Sequence, residues 1–271
     1  MGRITVLAGD HLTLYQVDAF ADQVFSGNPA AVIPLESWLP EVTLQNIAAE
    51  NNLSETAFFV KQGKGYAIRW FTPTSEVDLC GHATMASAYV IFQYLDPEES
   101  IILFDSKSGP LQVERTGDLI TMDFPKDDPK PCKEMKEKLD QILNIESEII
   151  CKGRDDFLAI VSSQKEVEEI SPNFQEMSQL DCRGVIVSGP GANHDFVSRC
   201  FYPTYGVNED PVTGSAHCLI AAYWSEKMVK TFLEGRQLSP RGGNVACEVK
   251  GARVILSGTC HLYMKGTIRL P

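Results

Sequence analysis

Polar and apolar residues alternate over short stretches in the first half of the chain, with the period of two expected of half-buried strands. The alternation predicts strands at LYQVDAF and AAVIPL around a turn at residues 26–29, and further strands at TAFFV and YAIRWF. Apolar side chains at helical spacing predict a helix from Glu41 to Asn51. A second predicted helix, HATMASAYVIFQYL, is apolar on nearly all sides, which is typical of a helix enclosed by a sheet.

A polar segment at residues 126–138 interrupts this pattern with prolines and charges that would bury little surface. Beyond it, strands are predicted at FLAIVSS, GVIVSGP and FVSRCFYP, followed by an apolar helix from Ser215 to about Val229. We therefore predict two domains, residues 1–125 and residues 126–271. The last strand of the chain is a candidate to join the first domain.

Two short motifs recur in the same order in the two halves. RWFTP at residues 69–73 is matched by RCFYP at 199–203, and DLCGHA is matched by DPVTGSA. The glycines of the second pair are Gly81 and Gly214, and an apolar helix follows each of them. Two matches in one order, each after a strand and before a helix, indicate a duplicated unit, with coincidental composition as the alternative.

The composition is that of a globular protein, with 44% hydrophobic and 22% charged residues among 271. Its 24 basic and 36 acidic side chains give a net charge of −12, which argues against nucleic acid and anionic membranes as partners. No stretch approaches the roughly 18 continuous apolar residues of a membrane span. Gly9 and Asp10 interrupt the apolar N-terminus before it could form a signal peptide, so a cytoplasmic protein is expected.

The cysteines and histidines lack the spacing of common metal sites. The eight cysteines form no CxxC pair and the five histidines form no HxxxH pair. Neither a zinc site nor an iron–sulfur site is therefore predicted. We expect reduced thiols, most of them buried.

Each glycine turn places the first backbone N–H groups of a helix where they lack partners and where the helix dipole is positive. Such an end favours an anion, and glycine lets the backbone approach a ligand closely. A duplicated fold would bring the two ends together across a cleft able to bind a carboxylate. The candidates for substrate binding belong to these turns: Asp78, Cys80, Gly81, Thr213 and Gly214.

Several side chains near these ends are candidates for chemistry. His82 and Ser215 occupy equivalent positions, and Asp210 begins the second motif; a core histidine, an N-cap serine and a structural aspartate are the alternatives. Cys80 could be an activated thiolate, because a helix N-terminus lowers a thiol pKa, or a buried thiol. Glu55 lies just before AFFV, where desolvation would raise its pKa toward that of a general acid/base; the alternative is a solvated loop residue.

Five motifs are spread in order over most of the chain: GNPAAV at 27–32, NLSETAFF at 52–59, RWFTPTSEVDLCGHAT at 69–84, EDPVTGSAH at 209–217 and SPRGG at 239–243. In these motifs the chain resembles the PhzF-type, phenazine biosynthesis-like family, whose wider group is similar in fold to diaminopimelate epimerase and proline racemase. The resemblance implies an α+β fold of two pseudo-symmetric domains, each a curved, mostly antiparallel sheet wrapped around a central helix. It also implies a cofactor-free active site between the domains, and a homodimer.

The resemblance also implies roles for individual residues. In the phenazine enzyme a glutamate shuttles a proton between carbons of a dihydro-hydroxyanthranilate, without a metal or a nucleotide. The motif match gives that role to Glu55, and supporting catalytic roles to His82, Asp210 and Ser215. We therefore expect an isomerase that acts on a small anionic carboxylate, either a cyclic or an amino carboxylic acid.

Two other functions remain open at this point. The related racemases and epimerases use two cysteines, but here Cys80 is matched by Thr213, which cannot complete a thiol pair. The first alternative is therefore a racemase, epimerase or dehydratase that uses Cys80 as a single thiol. The second is a non-catalytic binding or regulatory protein on the same fold, which the joint presence of the four candidate catalytic residues opposes.

Overall fold

A computed structural model describes residues 11–270, so the interruption at Gly9 and Asp10 lies outside the described residues. In the first half the strands are β1 (His11–Ala19), β2 (Asn28–Leu35), β3 (Glu55–Gln62), β4 (Gly65–Phe71), β5 (Glu76–Val77), β6 (Ile101–Ser106), β7 (Gly109–Thr116) and β8 (Leu119–Pro125). The helices are α1 (Glu41–Asn51) and α2 (Gly81–Val90), and a π-helical turn at Ile91–Leu95 extends α2. Helix α1 has the bounds that its sequence pattern predicts.

The second half continues with similar elements. Its strands are β9 (Lys130–Pro131), β10 (Ile149–Lys152), β11 (Asp156–Ile160), β12 (Gly184–Pro190), β13 (Phe196–Tyr202), β14 (Val207–Asp210), β15 (Phe232–Gln237), β16 (Gly243–Lys250), β17 (Arg253–Gly258) and β18 (Cys260–Arg269). Its helices are α3 (Lys136–Leu143), α4 (Gln164–Glu169), α5 (Phe174–Met177) and α6 (Gly214–Met228). None of the helices described between residues 11 and 270 combines the length and apolarity needed to cross a membrane.

The strands of the two halves pair in the same order. In the first half, β2 pairs parallel with β3, β3 antiparallel with β4, β4 parallel with β6, and β6, β7 and β8 follow as antiparallel neighbours. In the second half, β11, β12, β13, β15, β16 and β17 repeat this pattern of directions. The predicted duplication is confirmed, as is an α+β fold built on a large, mostly antiparallel sheet.

Within residues 11–270, two strand pairings join the halves. Strand β18 pairs antiparallel with β1 along its length, from Arg269 opposite His11 to Cys260 opposite Ala19. Strand β17 pairs antiparallel with β8. The last strand of the chain therefore completes the sheet of the first half. The domain boundary after Pro125 and the homodimer stay predictions.

The sheets enclose the two helices that follow the glycine turns. Every residue of α2 is buried except Gly81 and Tyr89. In α6, Trp224 stacks on Phe196 with ring centroids 6.5 Å apart, and its Nε1 donates to Oγ of Ser188 at 2.9 Å. The apolar helices predicted from the sequence are therefore the cores of the two halves, which explains why they lack a polar face.

The repeated arginine of the RWFTP and RCFYP motifs makes the same contact in both halves. Arg69 Nε donates to Oε1 of Glu76 at 2.7 Å, and Arg199 Nε donates to Oε1 of Glu209 at 2.7 Å. Both are bidentate Arg–carboxylate pairs with little solvent exposure. A bidentate pair fixes the relative orientation of the two side chains and is stronger than a single hydrogen bond. Each pair ties a strand to the short strand that leads into the enclosed helix, and so holds the glycine turn in place.

Packing around α6 predicts that Gly235 in β15 cannot be enlarged without cost. A Cβ added there would overlap the ring of Phe196, which is fully buried against Trp224. We expect Gly235→Ala to lower the free energy of unfolding by about 1–3 kcal/mol in urea denaturation, because the buried ring must shift. Gly266→Ala in β18 is the matched control, since an added Cβ meets nothing within 4 Å and should change stability by less than about 0.5 kcal/mol. Equal stability of the two variants would contradict this packing.

Candidate active site

A cavity of about 800 Å³ lies where the N-terminal ends of α2 and α6 meet. The two helices approach so closely that a Cβ added to Gly81 would lie 3.9 Å from Cα of Gly214. The lining consists of residues 52–55, 72–82 and Phe124 from the first half, and of Arg183, Tyr202, 205–207, Asp210 and 213–215 from the second. The cavity is therefore shared between the halves, as the repeated motifs predict.

Both helices present their N-terminal ends to this cavity. The residues before them, Cys80 and Thr213, have extended backbone conformations, and neither side chain caps its helix with a hydrogen bond. Two positive helix ends with uncapped N–H groups thus meet at one place, which makes the cavity suited to an anion.

Glu55, Cys80 and His82 form a compact group on the first-half side of the cavity. Glu55 is the first residue of β3, and its Oε2 lies 3.3 Å from Nε2 of His82. The other ring nitrogen, Nδ1, lies 3.6 Å from Sγ of Cys80. Burial, with a smaller contribution from the negative charge of Asp210, raises the pKa of Glu55 to about 8.

The environment of His82 keeps its imidazole neutral. Burial lowers the pKa of His82 to about 3, because the charged ring would lose its hydration. A charged imidazole 3.3 Å from Glu55 would stabilise the carboxylate and lower the Glu55 pKa. Neutral His82 instead lets the carboxyl retain its proton near pH 7.

Asp210, at the end of β14, is held by residues of both halves. Its carboxyl accepts hydrogen bonds from Oγ1 of Thr213 and, at 2.9 Å, from Nδ2 of Asn28, the first residue of β2. Gln237 binds the backbone on both sides of the turn, donating to the carbonyl of Asp210 at 2.7 Å and accepting from the N–H of Thr213 at 2.9 Å. Burial raises the pKa of Asp210 to about 6, while these hydrogen bonds oppose the shift, so it is mostly ionised at pH 7.

The SPRGG motif fixes the turn that presents Asn28. Arg241 Nε donates to the carbonyl of Gly27 at 2.9 Å, and its Nη2 donates to the buried carboxylate of Asp18 at 2.8 Å. Gly27 has a φ of +67°, a conformation that L side chains rarely adopt. The GNPAAV and SPRGG motifs therefore form one structural unit that positions the amide on Asp210.

Arg183 and Ser215 lie on the second-half side of the cavity. Arg183 Nη1 donates to Oγ of Ser215 at 3.1 Å, and Ser215 belongs to the first turn of α6. The guanidinium also forms an ion pair with Asp156. Cavity-facing polar groups thus come from both halves, with Glu55 contributed by the first half and Arg183 by the second.

The Glu55, Cys80 and His82 group also has the residue types of a metal site, with one ligand atom from each within 4.8 Å of the others. The imidazole of His82 contacts both of the other residues, with Nε2 3.3 Å from Oε2 of Glu55 and Nδ1 3.6 Å from Sγ of Cys80. Burial also raises the Cys80 pKa well above its ordinary value, which opposes formation of a thiolate ligand. The arrangement therefore fits proton transfer better than metal binding.

Strand register separates Asp78 from Asp210, although both begin the repeated motif. Asp210 lies opposite Cys200 in β13, whereas the residue opposite Trp70, the counterpart of Cys200 in β4, is Val77. Asp78 is exposed, while Asp210 is enclosed by hydrogen bonds. The second motif has one additional residue before its glycine, so the two aspartates are not structural equivalents.

A family model described as phenazine biosynthesis-like protein, PhzC-PhzF, matches residues 17–266. The chain belongs to the phenazine biosynthesis-like family. A protein of Pseudomonas aeruginosa named as an uncharacterised isomerase is 49% identical over 259 residues, which cover 96% of this chain and 99% of that relative. The predicted resemblance is thereby confirmed.

Solved structures agree with this membership. A phenazine biosynthesis protein of the PhzF family from Enterococcus faecalis is 47% identical, with a TM-score of 0.93 over 96% of this chain and 100% of the other. A hydroxyproline epimerase from Agrobacterium vitis, only 10% identical, shares the fold with a TM-score of 0.60 over 97% of this chain and 94% of the other. Relatives named as isomerases, on an epimerase-like fold, support an isomerase-type activity for this phenazine biosynthesis-like protein.

All nine site residues predicted for this family member line the cavity, and their roles stay predictions. The sequence analysis missed three residues that shape it: Asn28, Arg183 and Gln237. Asn28 lies within the GNPAAV motif and could have been found there. Gln237 lies two positions before SPRGG, and Arg183 stands in no motif, so neither carried a recognisable signal.

The raised pKa of Glu55 predicts a pH-dependent stability difference between wild type and Glu55→Gln. In the unfolded chain the carboxyl ionises near its ordinary pKa of 4.5, whereas in the folded chain it stays protonated up to about pH 8. Wild type therefore loses stability relative to the variant as pH rises from about 4.5 to 8. We expect the two to be equally stable at pH 4, and Glu55→Gln to be more stable at pH 8.5, by as much as about 5 kcal/mol in urea denaturation.

Glu76→Gln provides a control of opposite sign. Arg69 holds the pKa of Glu76 below its ordinary value, so this carboxylate contributes stability at neutral pH that is lost on acidification. Glu76→Gln should therefore be less stable than wild type at pH 7, with a smaller difference at low pH. If Glu55→Gln, like Glu76→Gln, were less stable than wild type at pH 7, the carboxyl of Glu55 would not be desolvated.

Proposed function

We propose that this protein is an isomerase that moves a proton between carbon atoms of a small cyclic or amino carboxylic acid, without a bound cofactor, and that Glu55 is the proton shuttle. Supporting roles are proposed for His82, Asp210 and Ser215. The observation that carries this proposal is the Glu55 carboxyl, with a pKa raised to about 8 at a cavity where two helix N-termini meet. The family relatives named as isomerases add support.

The pKa of Glu55 suits a group that both takes and returns a proton. Near neutral pH both forms of a carboxyl with a pKa of about 8 are populated, and its conjugate base is stronger than an ordinary carboxylate. Asp210, with a pKa of about 6, stays mainly ionised in the same cavity. Two carboxyls whose environments separate their pKa values can divide the acid/base and electrostatic roles between them.

The remaining groups would bind and orient the substrate. The uncapped N–H groups at Gly81 and Gly214 would bind the substrate carboxylate, with Cys80 and Thr213 at the helix N-caps beside it. Negative charge that develops as the proton leaves carbon would be stabilised by the same positive helix ends. Neutral His82 beside Glu55 would orient the carboxyl without removing its proton. We assign Asp78, exposed at the rim, a contact with the polar end of the substrate.

The single-thiol alternative has less support. Burial raises the pKa of Cys80 well above its ordinary value, so the thiolate that a base or nucleophile requires is disfavoured. Across the cavity Thr213 donates its hydroxyl proton to Asp210, and offers no second acid/base group. The carboxyl of Glu55 is therefore the better proton carrier.

Deuterium exchange from solvent into a panel of cyclic and amino carboxylic acids tests the proposal. We expect Glu55→Gln to lower the exchange rate by a factor of about 10²–10⁴, which is the usual contribution of a general acid/base, with NMR as the readout. Cys80→Ser is the matched control and should retain exchange within about tenfold. Full exchange in the Glu55 variant with loss in the Cys80 variant would favour the thiol mechanism. A panel that shows no Glu55-dependent exchange would favour the non-catalytic alternative.

The coupling between the two carboxyls predicts the pH dependence of exchange. If Glu55 begins the reaction as a base, the rate should rise with pH to a midpoint near 8. Asp210→Asn removes a negative charge that raises the Glu55 pKa, so the midpoint should move to lower pH. Isotope-edited NMR titration of the Glu55 carboxyl measures the same midpoint even where the variant is slow. An unchanged or higher midpoint in Asp210→Asn would refute the coupling.

A further inference from the structure

Arg183 is the one lysine or arginine among the described residues that line the cavity. It immediately precedes β12 and faces a lining that otherwise carries four carboxyl side chains: Glu55, Glu76, Asp78 and Asp210. A single cation in an acidic lining marks the position where an anionic group of a ligand is electrostatically favoured.

Asp156 and Tyr202 hold the guanidinium of Arg183 in place. The carboxylate of Asp156 accepts hydrogen bonds from Nε of Arg183 at 2.9 Å and from its Nη2, so that the two side chains form a bidentate ion pair. Asp156 is 2% exposed and begins β11, whose other residues, FLAI, are apolar. The ring of Tyr202 lies beside the guanidinium, with its centroid 5.5 Å from Cζ. Because a buried ion pair adds little to stability, a pair at this place is better explained by the orientation it gives to Arg183.

The front of the guanidinium presents hydrogen-bond donors to the cavity. Nη1 donates to Oγ of Ser215 at 3.1 Å, which leaves two of the five guanidinium N–H groups without a partner among residues 11–270. Since Ser215 Oγ accepts from Arg183, its own hydroxyl proton is available to another acceptor. Arg183, Ser215 and the N-terminus of α6 therefore converge as donors, which matches the oxygens of a carboxylate.

The duplication shows that this arrangement belongs to one half only. Thr56 lies opposite Phe71 in the first half, and Val185 lies opposite Phe201 in the second. One position earlier, Glu55 therefore corresponds to Gly184. Ser54 corresponds in the same way to Arg183. The two halves thus place a carboxyl and a guanidinium at adjacent positions of the same structural unit, on opposite sides of the cavity.

We propose that Arg183, which donates to Ser215, completes the carboxylate subsite at the two helix ends from its second-half side, so that the substrate binds with its carboxylate toward Arg183 and its reacting carbon toward Glu55. This assignment rests on the proposed isomerase function for the identity of the ligand. Arg183 contacts the carboxylate, and Asp156 is a positioning residue that acts through Arg183. The subsite selects acids over neutral analogues of the same shape.

Calorimetric titration with benzoate and with benzamide at pH 6 tests this subsite, because the two probes share a shape and differ in charge. Wild type should bind benzoate and discriminate against benzamide. Arg183→Lys, which keeps the charge but not the planar pair of donors, should weaken benzoate binding by about tenfold. The double variant Arg183→Gln/Asp156→Asn, which avoids an unpaired buried charge, should lose the discrimination.

An ion pair outside the cavity supplies a matched control. Arg253→Gln/Asp123→Asn removes an Arg–carboxylate pair that does not line the cavity, and should leave benzoate affinity within about twofold of wild type. Urea denaturation of each variant shows that the protein tested is folded. The assignment is overturned if wild type does not prefer benzoate, or if a folded Arg183 variant keeps the wild-type preference.

Failure of this subsite and failure of the proposed function can be distinguished. Glu55→Gln should abolish deuterium exchange yet bind benzoate as wild type does, since Glu55 is already mostly protonated at pH 6. Exchange that depends on Glu55, with benzoate binding indifferent to Arg183, would refute only the subsite. Benzoate binding that depends on Arg183, with no exchange in any acid, would refute only the isomerase.

Discussion

The head-to-head approach of two enclosed helices is the constraint on which the site depends. Their first residues, Gly81 and Gly214, come almost into contact, so two positive helix ends point at one another. Like poles of two helix dipoles repel, and an anion placed between them relieves that repulsion. The sheets hold the helices in this position by burying nearly all their side chains, and the repeated arginine–glutamate pairs hold the turns before them. The stability of the surrounding structure therefore maintains a cavity that favours a carboxylate.

Desolvation then determines the chemistry of the side chains around that cavity. The same burial makes Glu55 a weaker acid, keeps His82 neutral and raises the pKa of the Cys80 thiol. Asp210, unlike Glu55, has hydrogen-bond donors that keep it mostly ionised at neutral pH. Its charge acts on Glu55 in turn. The acid/base properties of the site thus arise because hydrogen bonds offset the effect of burial at Asp210 more than at Glu55. Asp210, a residue of the second half, also raises the pKa of Glu55 in the first.

The sequence was sufficient to predict features that depend on neighbouring residues. Alternation and helical spacing predicted the strands, helix α1 and the two apolar helices, and the repeated motifs predicted the duplication and the shared cavity. Features that depend on contacts distant in sequence were not predictable. No residue near Arg183 in the sequence indicates that Asp156 orients it. The repeated motif suggested that Asp78 and Asp210 are equivalent, although the extra residue before Gly214 places them in different strand registers.

The pairing of β18 with β1 has a consequence for biosynthesis. The edge of β1 that faces β18 has no partner until the last strand has been synthesised, because the residues that cover it are translated some 250 positions later. The first half therefore cannot complete its sheet before the end of the chain has been synthesised. The most distant strand pair in the described part of the chain can thus close only after both halves have been translated.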